Sequence, residues 1–221
     1  MNKLLLILLI IPWFCFSQQK DFQIWSSLSL EKEVTKKISA TFEEEIRFSD
    51  NVSRLKKFYS ELGVGYKLSK KFDLSVSYRY ITQYKTDYSV SPRFYYIMAL
   101  SWGDKFGRFK IKVRGKYMIK GSRLVTEETM INPMLYYRNL VEVMYNIPKA
   151  PLNPFLSYEL FVPLNNPYGV FIDGHRTTLG VDLKINKKNT ATVYFRNDRE
   201  ANVENPLNAF IFGFGYKLDI N

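Results

Sequence analysis

The stretch Ala209-Phe210-Ile211-Phe212-Gly213-Phe214-Gly215-Tyr216-Lys217-Leu218-Asp219-Ile220 decides the fold class. Phe210, Phe212, Phe214, Tyr216, Leu218 and Ile220 fall on one parity; Ala209, Ile211, Gly213, Gly215, Lys217 and Asp219 fall on the other. Successive side chains of a strand point to opposite faces, so this segment reads as a strand with one large apolar face and one small or charged face.

Working outward from it, the same alternation restarts after every turn. Phe72, Leu74, Val76, Tyr78 and Tyr80 oppose Asp73, Ser75, Ser77 and Arg79. Leu179, Val181, Leu183 and Ile185 oppose Arg176, Thr178, Asp182 and Lys184. The pattern predicts strands at 21–31, 36–49, 55–68, 71–85, 89–103, 107–120, 133–147, 154–164, 175–186, 189–198 and 206–220. Short turns at 69–71, 103–107 and 186–189 alternate with longer connections at 121–132, 165–174 and 198–205. That asymmetry, with strands longer than globular sheets use, predicts an all-β, antiparallel transmembrane β-barrel in one domain, 18–221. A soluble barrel with its apolar face inward is the rival. The large aromatics lie on the apolar face and Gly63, Gly65, Gly213 and Gly215 on the polar one, which favours the apolar face outward.

Eleven segments conflict with the even strand number of bacterial single-chain barrels. Either a strand hides in 121–132, or 36–49, where Glu43, Glu44 and Glu45 interrupt the alternation, is not in the wall. The expectation is therefore ten or twelve strands.

The chain opens with an export signal: Lys3, then the apolar run from Leu4 to Ile11, then Pro12 to Ser17 with small residues at Cys15 and Ser17. The run is too short to span a bilayer as a helix, which needs roughly 20 residues. Cleavage after Ser17 is expected, and the bulky Trp13 and Phe14 argue against an acylated Cys15. Residues 1–17 hold the single cysteine, so no disulfide or thiol chemistry is expected of the rest, and one histidine excludes a multi-histidine metal site. Their removal takes one base, Lys3, from 32 and none of the 21 acids, leaving a net charge of +10. An exported chain with that charge is matched to lipopolysaccharide phosphates, anionic glycans or a charged lumen rather than to nucleic acid.

Several segments also carry a likeness: Asp21-Phe22-Gln23-Ile24-Trp25, the charged strand Phe42 to Arg47, Leu62-Gly63-Val64-Gly65-Tyr66, Tyr158-Glu159-Leu160-Phe161, and His175-Arg176 leading into Leu179-Gly180-Val181. In these the chain resembles the outer-membrane proteins of domain-of-unknown-function family 2490. The resemblance implies a barrel fold and an outer-membrane address, and it carries no catalytic residues.

Candidate chemistry is sparse. His175 would need a serine within reach of its imidazole, and Ser157 on the preceding strand is the one to test. Glu43, Glu45, Glu61, Glu142 and Glu159 fall on the inward parity, as do Arg47, Arg79, Arg93, Arg138 and Arg176, so paired charges are expected there rather than a hydrolytic carboxylate pair. Arg108, Lys110, Lys112, Arg114 and Lys116 form the strongest charge signal, five bases on one face of one strand. Acids on the early strands are expected to compensate them across the lumen, with an anionic solute as the alternative. Trp25, Trp102, Tyr80, Tyr84, Tyr117 and Tyr137 are assigned to interfacial girdles. No cofactor is expected, and Gly63-x-Gly65 precedes no helix, which excludes a dinucleotide loop. The last strand, through Tyr216-x-Leu218-x-Ile220, is expected to engage the barrel-assembly machinery. The expected role is an outer-membrane barrel, structural or a small anion-favouring conduit with a charge-paired lumen, and not an enzyme. The alternatives are a lipid-modifying barrel hydrolase using His175, and a surface-binding barrel whose long loops contact glycan or a partner.

Overall fold

The computed structural model describes residues 19–87, 89–122 and 133–220. The expected signal at 1–17 and most of the stretch 121–132 lie outside the described residues. Eleven strands follow one another: β1 (Gln19–Glu33), β2 (Ile38–Ser49), β3 (Arg54–Lys67), β4 (Phe72–Tyr84), β5 (Val90–Phe106), β6 (Phe109–Ser122), β7 (Met134–Tyr145), β8 (Leu152–Pro163), β9 (Gly174–Lys184), β10 (Asn189–Glu200) and β11 (Leu207–Asp219). Each pairs antiparallel with its sequence neighbours, and β1 pairs parallel with β11 to close the barrel. Closure leaves no unpaired sheet edge.

The wall therefore has eleven strands among the described residues, not the expected ten or twelve. A meander of odd length brings its first and last strands together running the same way, and here they pair in unbroken parallel register from Gln19↔Leu207 to Glu31↔Asp219. The doubtful region is a full wall strand, β2, bonded to β1 and β3. Its three glutamates obey the alternation after all. Glu43 and Glu45 point inward, while Glu44 points outward, where the Ser60 hydroxyl donates to it at 3.2 Å.

Outside, the wall is apolar and exposed: Leu62, Val64, Val76, Met98, Leu100, Leu156, Leu179, Phe212 and Phe214 all stand free of protein contact over much of their surface. Inside, an apolar cluster of Trp25, Tyr194, Ala209 and Ile211, with Phe155 and Leu207 against it, packs on the inner face of the parallel seam. Two strand glycines make room for its rings. A Cβ on Gly213 would lie 2.0 Å from Tyr194 Cζ, and one on Gly180 would lie 2.5 Å from Phe155 Cζ.

One rim carries the connections β2–β3, β4–β5, β6–β7, β8–β9 and β10–β11, which include the long ones; the other carries the five remaining turns. At the first rim Asp50, Asn51 and Val52 all have positive φ, +68° for Val52. Asn51 ties this turn to β1, its N–H donating to Asp21 Oδ1 at 3.0 Å.

Candidate functional site: the charged lumen

Because the inward parity carries most of the charge, the lumen is where, among the described residues, the strands bring ionisable groups together in number. It holds two chambers. The one at the long-loop rim, here the vestibule, has a volume of about 540 Å³, and the lower chamber has about 440 Å³. Arg47, Tyr59, Arg79, Arg138 and Arg176 line both and form the belt between them.

Each belt arginine is matched by a carboxylate. Arg47 Nε donates to Glu45, and its guanidinium lies 3.5 Å over the Trp25 ring. Arg79 Nε donates to Glu61 at 2.5 Å, with its guanidinium 3.9 Å over Tyr59, and Ser77 donates to the same carboxylate. The Tyr59 hydroxyl donates to Glu43 at 2.5 Å. Arg176 grips Asp198 with Nε at 2.6 Å and Nη2 at 2.5 Å. Glu159 is the hub: Arg138 Nη2 lies 2.5 Å away, Arg114 Nη2 3.1 Å and Arg176 Nη1 3.6 Å. Three guanidiniums around one buried carboxylate satisfy the rule that buried charge be paired.

The sequence candidates fall into two groups. Glu43, Glu45, Glu61, Arg114 and Arg138 belong to these clusters. Their bonds run mostly within a strand or between neighbouring strands, so the expected pairing of the β6 stripe with early-strand acids across the lumen is not what the geometry gives. Arg114 reaches Glu159 on β8 instead. Arg108 sits in the β5–β6 turn, exposed, donating to Tyr145 OH at 3.3 Å. Lys110 is exposed at the same rim, and Lys112 stands opposite Glu142 in the register. Lys116 lines the lower chamber. Lys110, Lys112, Lys116 and Arg93 make no ion pair among the described residues, and Arg93 Nε is buried without a partner.

His175 points outward. Its Nδ1 is 3.1 Å from Tyr158 OH on the outer face, whereas Ser157 points into the lower chamber opposite Thr178. The wall separates them, so that serine–histidine pair does not exist. Trp25 is also corrected: it is 3% exposed inside the lumen, not in a girdle, and its indole N–H donates to Gln23 at 2.9 Å. The parity it shares with Asp21 and Gln23 was the available signal. Sequence reading also missed Lys56. The β2–β3 register slips between Arg47 and Phe48, so that Lys57 faces Arg47, Leu55 faces Phe48, and Lys56 is the extra residue of a bulge. Both Lys56 and Lys57 consequently line the vestibule.

At the rim Asp173, in the β8–β9 connection, accepts a hydrogen bond from Tyr136 OH. Burial raises its carboxyl above the ordinary value, partly offset by that bond and by Lys120.

The family described as Protein of unknown function (DUF2490) matches residues 22–209. The chain belongs to that family. A solved chain described as "Unveiling the Mechanism Behind the in-meso Crystallization of Membrane Proteins" is similar to this DUF2490 barrel at 16% identity and a TM-score of 0.41, over 86% of this chain and 78% of the other. No curated protein matches it.

Proposed function

We propose that this DUF2490 barrel is an integral outer-membrane protein whose lumen favours anions, and that it acts without catalysis. The supporting observation is the inverted sorting of side chains. An exposed apolar wall surrounds an interior of paired arginines and glutamates with spare lysines. A water-facing barrel has no reason to expose Leu62, Val64, Leu179 and Phe214, whereas lipid solvates them well. Lipid and lipopolysaccharide are then its surroundings, and the C-terminal strand its handle for the assembly machinery.

Anion preference follows from what remains after pairing. The belt is compensated, but Lys112 and Lys116 on β6 bring positive charge that no ion pair cancels among the described residues, and uncancelled bases along a lumen wall attract anions. The separation of His175 from Ser157 supports the non-catalytic reading.

Two measurements test this. Heat-modifiable gel mobility of membrane fractions is expected; a soluble protein with no mobility shift would refute the membrane assignment. In planar bilayers under a salt gradient, the reversal potential is expected to report anion preference, weakened by Lys110→Glu with Lys112→Glu. Cation preference in the wild type would refute the luminal part.

A further inference from the structure

We propose that the vestibule is a binding site for a small soluble polyanion of the phosphate or pyrophosphate class. The inference rests on the luminal reading above and adds a ligand to it.

The starting point is an imbalance of hydrogen-bonding types. The belt arginines that floor the vestibule spend their charge on Glu45, Glu61, Glu159 and Asp198. Three lysines remain. Lys56, Lys57 and Lys120 line the cavity and form no ion pair among the described residues. Lys120 instead places Nζ 3.2 Å from the centre of the Tyr136 ring, the contact of an ammonium without a carboxylate. Arg138 Nε is buried in the same floor with no acceptor. The cavity thus carries more basic than acidic side chains, and its lysines are not spent in ion pairs among the described residues. A phosphoryl group is acceptor-only and multiply charged, and lysines are well suited to it as mobile point charges.

The backbone supports the same assignment. A regular strand would send only one of Lys56 and Lys57 inward; the bulge turns both to the cavity. Bulges re-aim side chains next to functional sites. The acids Asp173, Glu200 and Glu204 line the same cavity, and two of them are engaged by hydrogen-bond donors of their own. Asp173 accepts from Tyr136, and Glu200 accepts the Leu207 N–H at 2.9 Å. A volume of about 540 Å³ suits a small molecule.

The test is calorimetric titration of the purified full chain in detergent micelles with inorganic pyrophosphate. Saturable binding is expected in the wild type. It should weaken at least tenfold in Lys56→Gln/Lys57→Gln and in Lys120→Gln, and stay within twofold in Lys36→Gln/Lys37→Gln, exposed at the opposite rim. Lys120→Gln lies outside the bulge and carries the test by itself if the double variant does not fold. Absence of wild-type binding, or equal weakening in the Lys36/Lys37 variant, overturns the site. Binding of a bis-phosphorylated glycolipid without binding of pyrophosphate overturns it too, by moving the ligand from lumen to leaflet. An anion-selective barrel that binds no pyrophosphate refutes the site while leaving the conduit intact.

Discussion

The guanidinium of Arg47 lies 3.5 Å above the Trp25 ring while its Nε donates to Glu45. One side chain therefore ties β2 to the ring that β1 presents behind the parallel seam. It also ends a polar ladder that descends from the rim: Asn51 N–H to Asp21, Gln23 to the same carboxylate at 2.6 Å, and Trp25 to Gln23. Replacing Arg47 by Leu leaves Glu45 buried and unpaired, a loss of about 3–5 kcal/mol. Urea unfolding in lipid vesicles should report it, and Glu45→Gln added to Arg47→Leu should restore part. A double variant no more stable than the single one would show that the pairing is not the cause.

Removal of the Glu159 carboxylate acts on three arginines at once. In Glu159→Gln, Arg114, Arg138 and Arg176 lose a shared counter-ion, although Arg176 keeps Asp198. The expected result is lower stability together with stronger anion preference in bilayers. Unchanged selectivity would separate the hub from conduction.

The Tyr194 ring lies across Gly213 so closely that Gly213→Ala must displace it, and overpacking of this kind costs about 1–3 kcal/mol. Gly103→Ala is the comparison, because its Cβ would meet nothing nearer than 3.7 Å. Equal unfolding midpoints for the two variants would contradict the packing described for the seam.

Asp173 is expected to make the barrel's stability depend on pH. Its carboxyl is raised by burial, so the folded state holds the proton more tightly than the unfolded chain. The associated stability is complete below the unfolded value and is lost as pH rises through the folded one. Tyr136 and Lys120 oppose the shift and Glu200 adds to it. Unfolding midpoints of the wild type and Asp173→Asn, compared from about pH 4 to pH 7, should diverge in that direction. Parallel profiles would sink the assignment.

Parity alone makes the wall legible in the sequence. The inward placement of Glu43, Glu61, Lys116 and Arg138 follows from counting by two along each strand, and the strand limits agree with those read from the alternation to within a few residues. What parity does not encode is which strand stands beside which charge once the barrel closes. Glu159 looks like any inward acid in the sequence; its three arginines come from β6, β7 and β9 and meet it only through register. The bulge at Lys56 is similarly silent, since one extra residue in a strand leaves no compositional mark. The strand number differs from the ten or twelve expected because the even-number rule for bacterial barrels does not hold here, where eleven alternating segments make eleven wall strands among the described residues.

An odd wall has a directional consequence. A chain that crosses a sheet of antiparallel strands eleven times starts at one mouth of the cylinder and finishes at the other, so Gln19 stands at the long-loop mouth and Ile220 at the short-turn mouth. Set in a bilayer, such a polypeptide is a vector through it. A tag joined ahead of β1 and a tag joined after β11 would then be displayed to opposite compartments.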